Sequence, residues 1–403
     1  MDIKKEKEEK FVKSFDINNN PQNKARFERE NEIYDRIEKR LEFLSNENNI
    51  IEEINEKKYI LAKGNESSDS DNGKLKLKEI KKAANENVEL DEEKVKEYKE
   101  LFCSKEGFKY ILKRYENNQK ESKIILERAV CDLSKFATKF HAHFTFPQIR
   151  YIMYQILQGL IKLHNLSYDV NIFHNDLKAE NIFVIIKNKD MKNELENILK
   201  SKNLEGIPNI NEFLQKLLKE CTFKIGDFDL SHIITGEFKN IDFIPGPIED
   251  IIDVDKEDCY ELGCILYYLR TGRYFQKYEK ENKTLFQNPF FDENIKLTSN
   301  YLKLLNKMLQ VDKNFRLNCY DILSMDFFKI DNIKNVDLLN TKMEDDEKFI
   351  NFNRDIYDCY LDKKIKTRFF LPIEDRGTFK LKSEIKPYKK ENMKGDFFIL
   401  KNN

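Results

Sequence analysis

Phe173-His174-Asn175-Asp176-Leu177-Lys178-Ala179-Glu180-Asn181-Ile182-Phe183 and, further on, Lys224-Ile225-Gly226-Asp227-Phe228-Asp229-Leu230-Ser231 decide how this chain reads. An Asp, a Lys two residues on and an Asn five residues on precede the apolar run Ile182 to Ile186, and a second Asp follows the run Phe223 to Ile225. Phosphoryl transfer asks a protein for positioning and charge neutralisation more than for covalent chemistry. The residue types fit those tasks. Asp176 is suited to accept or orient a hydroxyl proton, Lys178 to offset charge on the moving phosphoryl group, and Asn181 with Asp227 to offer hard oxygens to Mg²⁺. The plainer reading is a charged surface loop in a chain that is 35% charged. Two such motifs in this order, each beside a strand-like run, argue against it.

Written as H-N-D-L-K-A-E-N and D-F-D, these segments resemble the catalytic loop H-R-D-L-K-x-x-N and the metal-binding D-F-G of the protein kinase family. The resemblance implies His174 and Phe228 as structural residues, ATP and Mg²⁺ as cofactors, and protein Ser/Thr as acceptor through Lys178. It extends downstream. Asp258-Cys259-Tyr260-Glu261-Leu262-Gly263 resembles the family's D-x-W-S-x-G helix, and Leu309 to Leu317 resembles the segment carrying its buried Arg, here Arg316. The family pairs that Arg with the Glu of A-P-E, which matches Pro247-Ile248-Glu249 and implies a Glu249–Arg316 ion pair.

Composition bounds the class. The chain has 403 residues, enough for more than one lobe, and its 71 Lys plus Arg balance 72 Asp plus Glu. That balance gives no electrostatic case for nucleic acid or membrane as partner. Seven cysteines without C-x-x-C spacing suggest reduced thiols in a cytoplasmic or nuclear setting. No apolar run is long enough to cross a bilayer, and residues 1–7 lack a signal-peptide core.

From about residue 123 to 330 the chain reads as one unit. Ser122 to Ala129 is a short strand turning polar, Asp132 is placed to cap a helix, and Ile149, Ile152, Ile156, Leu157, Leu160 and Ile161 recur at helical spacing behind Pro147. By resemblance, Leu126 is the gatekeeper and Glu127 to Ala129 the adenine-binding hinge, with Glu127 and Ala129 at the cofactor. Residues 188 to about 220 exceed the family's usual hairpin and read as two short amphipathic helices, Met191–Lys200 and Asn211–Lys219.

Departures sharpen the expectation. Asn175 stands where many kinases carry the Arg that receives an activation-loop phosphate, so that switch is not expected here. Between Asp227 and Glu249 the only hydroxyl side chains are Ser231 and Thr235. Asp229 replaces a Gly, a change expected to matter if that position needs positive φ.

The ATP-gripping Lys has three candidate positions. The first pairs Lys13, in the strand Phe11 to Phe15, with Glu30 in the helix Arg29 to Ile37, which resembles the family's R-E-x-E-I-L-x-x-L. The second takes Lys78 with Glu97. The third looks to the tail, where Asp375 to Lys382 resembles a phosphate loop followed by a strand ending at Lys401. Lys13 and Glu30 are preferred, although too few residues precede Lys13 for a glycine-rich loop. The tail is therefore expected to fold back and complete the same sheet. Residues 38–107 then form an insertion, with Tyr110 to Tyr115 resuming the sheet.

The expected architecture is α+β and two-lobed: a divergent, small antiparallel β lobe over residues 1–126, a helical lobe over 127–330, and an extension over 331–403. The expected activity is ATP-dependent phosphorylation of protein Ser/Thr, the alternative a binding or scaffolding pseudokinase.

Overall fold

The computed structural model describes residues 10–17, 20–56, 92–167, 169–201, 204, 207–235, 254–272, 277–280, 283–286, 297–310, 316–329, 349–350, 385–387 and 398–400. Strand β1 (Lys10–Ser14) leads into helix α1 (Pro21–Phe43), where Asn20 accepts a hydrogen bond from Gln22 N and Pro21 occupies the first turn. These are two start signals that suit a helix N-terminus. Helix α1 buries Phe27, Glu30, Asn31, Ile33, Tyr34, Ile37 and Arg40, so its inward face mixes apolar and ionisable groups.

Helices α2 (Glu47–Glu56) and α3 (Glu92–Tyr98) follow within the insertion. They are tied to α1 at its far end. Arg40 donates to Glu53 at 3.1 Å and to the Phe102 carbonyl at 3.2 Å, Tyr98 donates its hydroxyl to Glu53, and Lys162 donates to the same Phe102 carbonyl at 2.7 Å.

Strands β2 (Arg114–Asn118) and β3 (Lys123–Glu127) complete an antiparallel sheet in the order β1-β3-β2. Strand β2 starts later than the pattern suggested. Residues Glu106–Tyr110 form a 3₁₀ turn, while Ile111 and Leu112 turn away to bond Ile225. The described tail strands, Ile385–Pro387 and Phe398–Leu400, pair with each other and not with β1, so the expected completion of this sheet is not met by them. Antiparallel partners only a hairpin apart have a smaller loop-closure cost than partners at opposite ends of the chain. Lys78, Lys401 and the loop at Asp375 to Lys382 lie outside the described residues, and Glu97 is described only as part of α3.

The helical part is built around one long buried element. Short strand β4 (Cys131–Asp132) ends at Asp132, which caps helix α4 (Leu133–Phe140) by accepting from Lys135 N at 2.8 Å. Helix α5 (Phe146–His164) begins with a capping box in which Thr145 and Gln148 bond each other's backbone, and it is buried on nearly every side. That all-round burial is what its dense apolar composition requires. Strand β5 (Val170–Phe173) delivers the chain to Asp176, and β6 (Ile182–Ile186) leaves it.

Helices α6 (Lys189–Lys200) and α7 (Ile210–Glu220) fill the excursion before β7 (Cys221–Ile225), which pairs antiparallel with β6. Their apolar residues Leu195, Phe213, Leu214, Leu217 and Leu218 belong to the main core. The excursion departs at the Ile186–Cys221 end of the hairpin, whereas the Ile182–Ile225 end carries Asn181 and Asp227. Lengthening a connection at the far end costs only about 0.6 kcal/mol per doubling and leaves the near end in register. Strand β8 (His232–Thr235) returns to pair with β5; helices α8 (Val254–Thr271), α9 (Ser299–Met308) and α10 (Cys319–Leu323) complete the described core. Among the described residues, no helix is long and apolar enough to cross a membrane.

Candidate active site

Lys13, Glu30 and Asp227 meet although they are far apart in sequence. Lys13 Nζ lies 2.5 Å from Glu30 Oε2 and also donates to Asp227 Oδ1, joining β1, α1 and the end of β7. Glu30 is fully buried, and its Oε1 has no hydrogen-bond partner among the described residues. Burial opposes the charge on Lys13, but the Glu30 and Asp227 carboxylates outweigh it and raise the ammonium pKa. Burial pushes the Glu30 carboxyl up to about 7, against the downward pull of Lys13.

A carboxyl whose folded pKa lies above its unfolded value contributes most at low pH, and its contribution is lost as pH rises from the ordinary 4.5 through about 7. The ionic form of the Lys13–Glu30 pair builds up over the same interval. If the site turns over ATP as the sequence resemblance implies, kcat/KM for ATP is expected to rise with pH through about 7, and the same profile measured on Glu30→Gln to lose that acid limb.

The catalytic-loop residues form a second knot. Lys178 Nζ contacts Asp176 Oδ2 at 2.6 Å, and Asn181 Nδ2 donates to the Asp176 carbonyl at 2.8 Å and to Oδ2 at 3.1 Å. Asn181 is brought to Asp227 by the hairpin, where Gly226 N donates to the Asn181 carbonyl. A side chain at Gly226 would place its Cβ 3.0 Å from both Leu112 and Phe183, so the close approach there favours glycine.

Asp258 fixes the backbone of that loop from below. It is fully buried and accepts from His174 N and Asn175 N at 2.8 Å and from His164 Nε2 at 2.7 Å. Burial would raise its pKa, but His164, His174 and the Asn175 N–H together hold it below the usual carboxylate value. Glu261, one turn on in α8, accepts from Leu177 N at 2.7 Å; burial and the adjacent Asp258 push its carboxyl up to about 8. Glu261 was not singled out from the sequence, though its spacing of three from Asp258 places both on one helix face.

Asn175 and Asp227 both adopt positive φ, at 65° and 70°. Asn and Asp tolerate this region better than other side chains do. The position of Asp229 does not need positive φ: the left-handed residue is Asp227, and Asp229 lies 3.8 Å from Arg26 of α1. Burial and neighbouring Asp227 raise the Asp229 pKa.

A column of rings runs beneath the site. Phe228 is fully buried between His174 and Tyr34, with centroid separations of 5.5 and 5.4 Å. His174 accepts from Asp176 N through Nδ1, so its Nε2 is left to donate to the Gly226 carbonyl at 3.0 Å. Ser231 is buried with its hydroxyl bonded to the His174 carbonyl. It is a strut of the loop.

The remaining candidates are placed as follows. Leu126 is buried in β3 opposite Phe11; Glu127 pairs with Lys224 at 2.6 Å; Ala129 is partly buried just beyond the strand. Glu249 lies outside the described residues. Arg316 is buried and donates to the Gln310 and Lys256 carbonyls, with Glu257 at 3.3 Å and the Tyr260 ring 4.8 Å away.

The donor set fits a hard divalent cation. Asp227 and the Asn181 amide oxygen are the right chemistry, and no cluster of three or more His, Cys, Asp or Glu side chains suited to a metal occurs among the described residues. Mg²⁺ is commonly held by one or two carboxylates together with substrate phosphates, so few protein ligands suffice.

Comparison with known proteins gives three findings. The profile of the protein kinase domain matches residues 65–328, which leaves Lys13 and Glu30 ahead of the matched region. "Probable serine/threonine-protein kinase fhkD" of Dictyostelium discoideum is 26% identical over 230 residues, covering 52% of this chain and 27% of that protein. The match thus spans about a quarter of that relative's length. Crystal structures of the Rad53 kinase domain and SCD2, with and without AMPPNP, align at 18% and 17% identity with TM-scores of 0.36 and 0.37. Each alignment covers 62% of this chain, and 82% and 80% of the respective Rad53 chains.

Proposed function

The chain belongs to the protein kinase family, and from that premise we propose that it transfers the γ-phosphate of ATP to Ser or Thr hydroxyls of protein substrates. The observation that carries the reading is the Lys13 bridge between Glu30 and Asp227, which assembles the phosphate-gripping Lys, its orienting carboxylate and a metal ligand from residues 214 positions apart. In this reading Lys13 holds the non-transferred phosphates and Glu30 fixes its direction. Asp176 takes up or orients the acceptor proton. Lys178, paired with Asp176 in the free protein, turns to the transferred phosphoryl group and offsets its charge. Asn181 and Asp227 would hold Mg²⁺ together with the ATP phosphates, and the ion would supply charge neutralisation there. Leu126, Glu127 and Ala129 border the adenine.

Asp229 favours one rival, a pseudokinase that binds nucleotide without transferring phosphate, because it adds a carboxylate beside Asp227. The deciding experiment measures thermal stabilisation by ATP with and without Mg²⁺, alongside transfer to Ser, Thr and Tyr peptides. The kinase reading expects Mg²⁺-dependent stabilisation and Ser/Thr transfer, both lost in Asp227→Asn. Stabilisation without transfer would establish the rival.

A further inference from the structure

We propose that Arg114 is a positioning residue for the phosphate grip, setting the rotation of α1 that presents Glu30 to Lys13. The proposal rests on the reading of Lys13 and Glu30 as that grip. Arg114 opens β2 opposite Leu126 of β3, and it is buried. Its guanidinium makes five contacts to acceptors of α1. Nη1 reaches the Asn31 carbonyl at 3.3 Å and the Asn31 side-chain oxygen at 3.2 Å, Nη2 reaches Asp35 at 2.5 Å and Glu38 at 2.6 Å, and Nε reaches Glu38 at 3.0 Å. Five contacts match the five N–H donors that a guanidinium possesses.

Those partners form one stripe at i, i+4 and i+7, so the grip fixes the helix about its own axis. Glu30 precedes Asn31 by one residue, about 100° around the helix. Locking the Asn31 stripe therefore locks the direction in which Glu30 points. Arg114 also lies over the Tyr34 ring at 5.7 Å, and Tyr34 packs against Phe228, the neighbour of Asp227. One side chain thus touches the helix that carries Glu30 and the ring column that contains Phe228, next in the chain to Asp227. A rigid fork does this, whereas an ammonium on a flexible stem does not. Asp35 and Glu38 are about half exposed, so removing Arg114 lets water reach them and strands no fully buried charge.

The test uses the full chain with Arg114→Leu, Arg114→Lys and the double variant Asp35→Asn/Glu38→Gln. We expect Arg114→Leu to raise KM for ATP about 10-fold or more with a smaller fall in kcat, as displacement of a gripping group by an ångström can do. Arg114→Lys is expected to fail to rescue. The Asp35/Glu38 double variant should shift KM in the same direction and add nothing to Arg114→Leu, since both cut one linkage. A lower melting temperature with unchanged KM and kcat per folded molecule would overturn the proposal, as would full rescue by Lys. If the wild type binds Mg-ATP without transferring phosphate, the kinase reading fails and the dissociation constant becomes the readout. If it binds none, a crystal structure of Arg114→Leu decides: a broken Lys13–Glu30 pair supports the role, and an intact pair refutes it.

Discussion

Asp176→Asn is expected to lower kcat by about 10²–10⁴-fold, the usual range for losing a positioned general base. The substitution keeps the shape of the side chain, and the Asp176 backbone bonds to His174 and Asn181 do not involve the carboxylate. What it removes is the negative charge and the basicity of the carboxylate that faces Lys178 and Asn181. Binding of Mg-ATP should consequently change little, because Lys13, Glu30 and Asp227 are untouched. Single-turnover transfer together with calorimetric ATP binding separates the two effects. Transfer that survives at the wild-type rate would mean that another group handles the proton, and the assignment of Asp176 would fall.

Asp258→Asn is expected to carry the largest cost in stability. Asp258 Oδ2 accepts from both His174 N and His164 Nε2, and Oδ1 accepts from Asn175 N. An amide can present only one oxygen, so either orientation aims its NH₂ at a backbone donor. Leaving such buried donors unmet, and deleting a buried charge that was fully bonded, costs about 3–5 kcal/mol. The acid dependence is a second signature. Because the folded pKa of Asp258 is depressed, its contribution is present above the ordinary carboxylate value of about 3.9 and disappears as pH falls through the lower folded value. Denaturant midpoints measured down the acid range should show that loss in the wild type and a flatter response in Asp258→Asn. A variant with wild-type stability would show that the hub is dispensable.

What could be read from the sequence was the chemistry that is contiguous. His174 to Asn181 and Asp227 to Asp229 declare themselves because the turn that carries them is short and its residue types are unusual together. Helix α5 was equally legible, since Pro147 and the apolar spacing act locally. Lys13 emerged only as one of three candidate positions, because nothing local records that a strand at residue 13 will face a loop at residue 227. The structure brings that pair together and leaves the tail strands paired with each other.

Arg114 passed as an ordinary strand residue for the same reason. Its partners lie 76 to 83 positions away, on a helix whose charged stripe looks solvated when viewed alone. The displaced start of β2 was hidden because Ile111 and Leu112 suit a strand, yet their bonding partner is Ile225 across the core. Arg316 was read as the partner of Glu249, which lies outside the described residues; within them Arg316 is buried and donates to the carbonyls of Gln310 and Lys256.

The 214 positions between Lys13 and Asp227 also set a schedule for synthesis. At about 5–20 residues per second, a ribosome needs roughly 10–40 s after releasing Lys13 to make Asp227. Strand β1 must wait for its neighbour as well, since Lys10 pairs with Glu127. Throughout that interval a nascent chain holds one end of the Lys13–Asp227 bridge with nothing to close it. Under the proposed function, any product truncated before residue 227 would be inert toward ATP chemistry, and phosphate transfer would begin only once the lobe that contains Asp176 and Asp227 has been made.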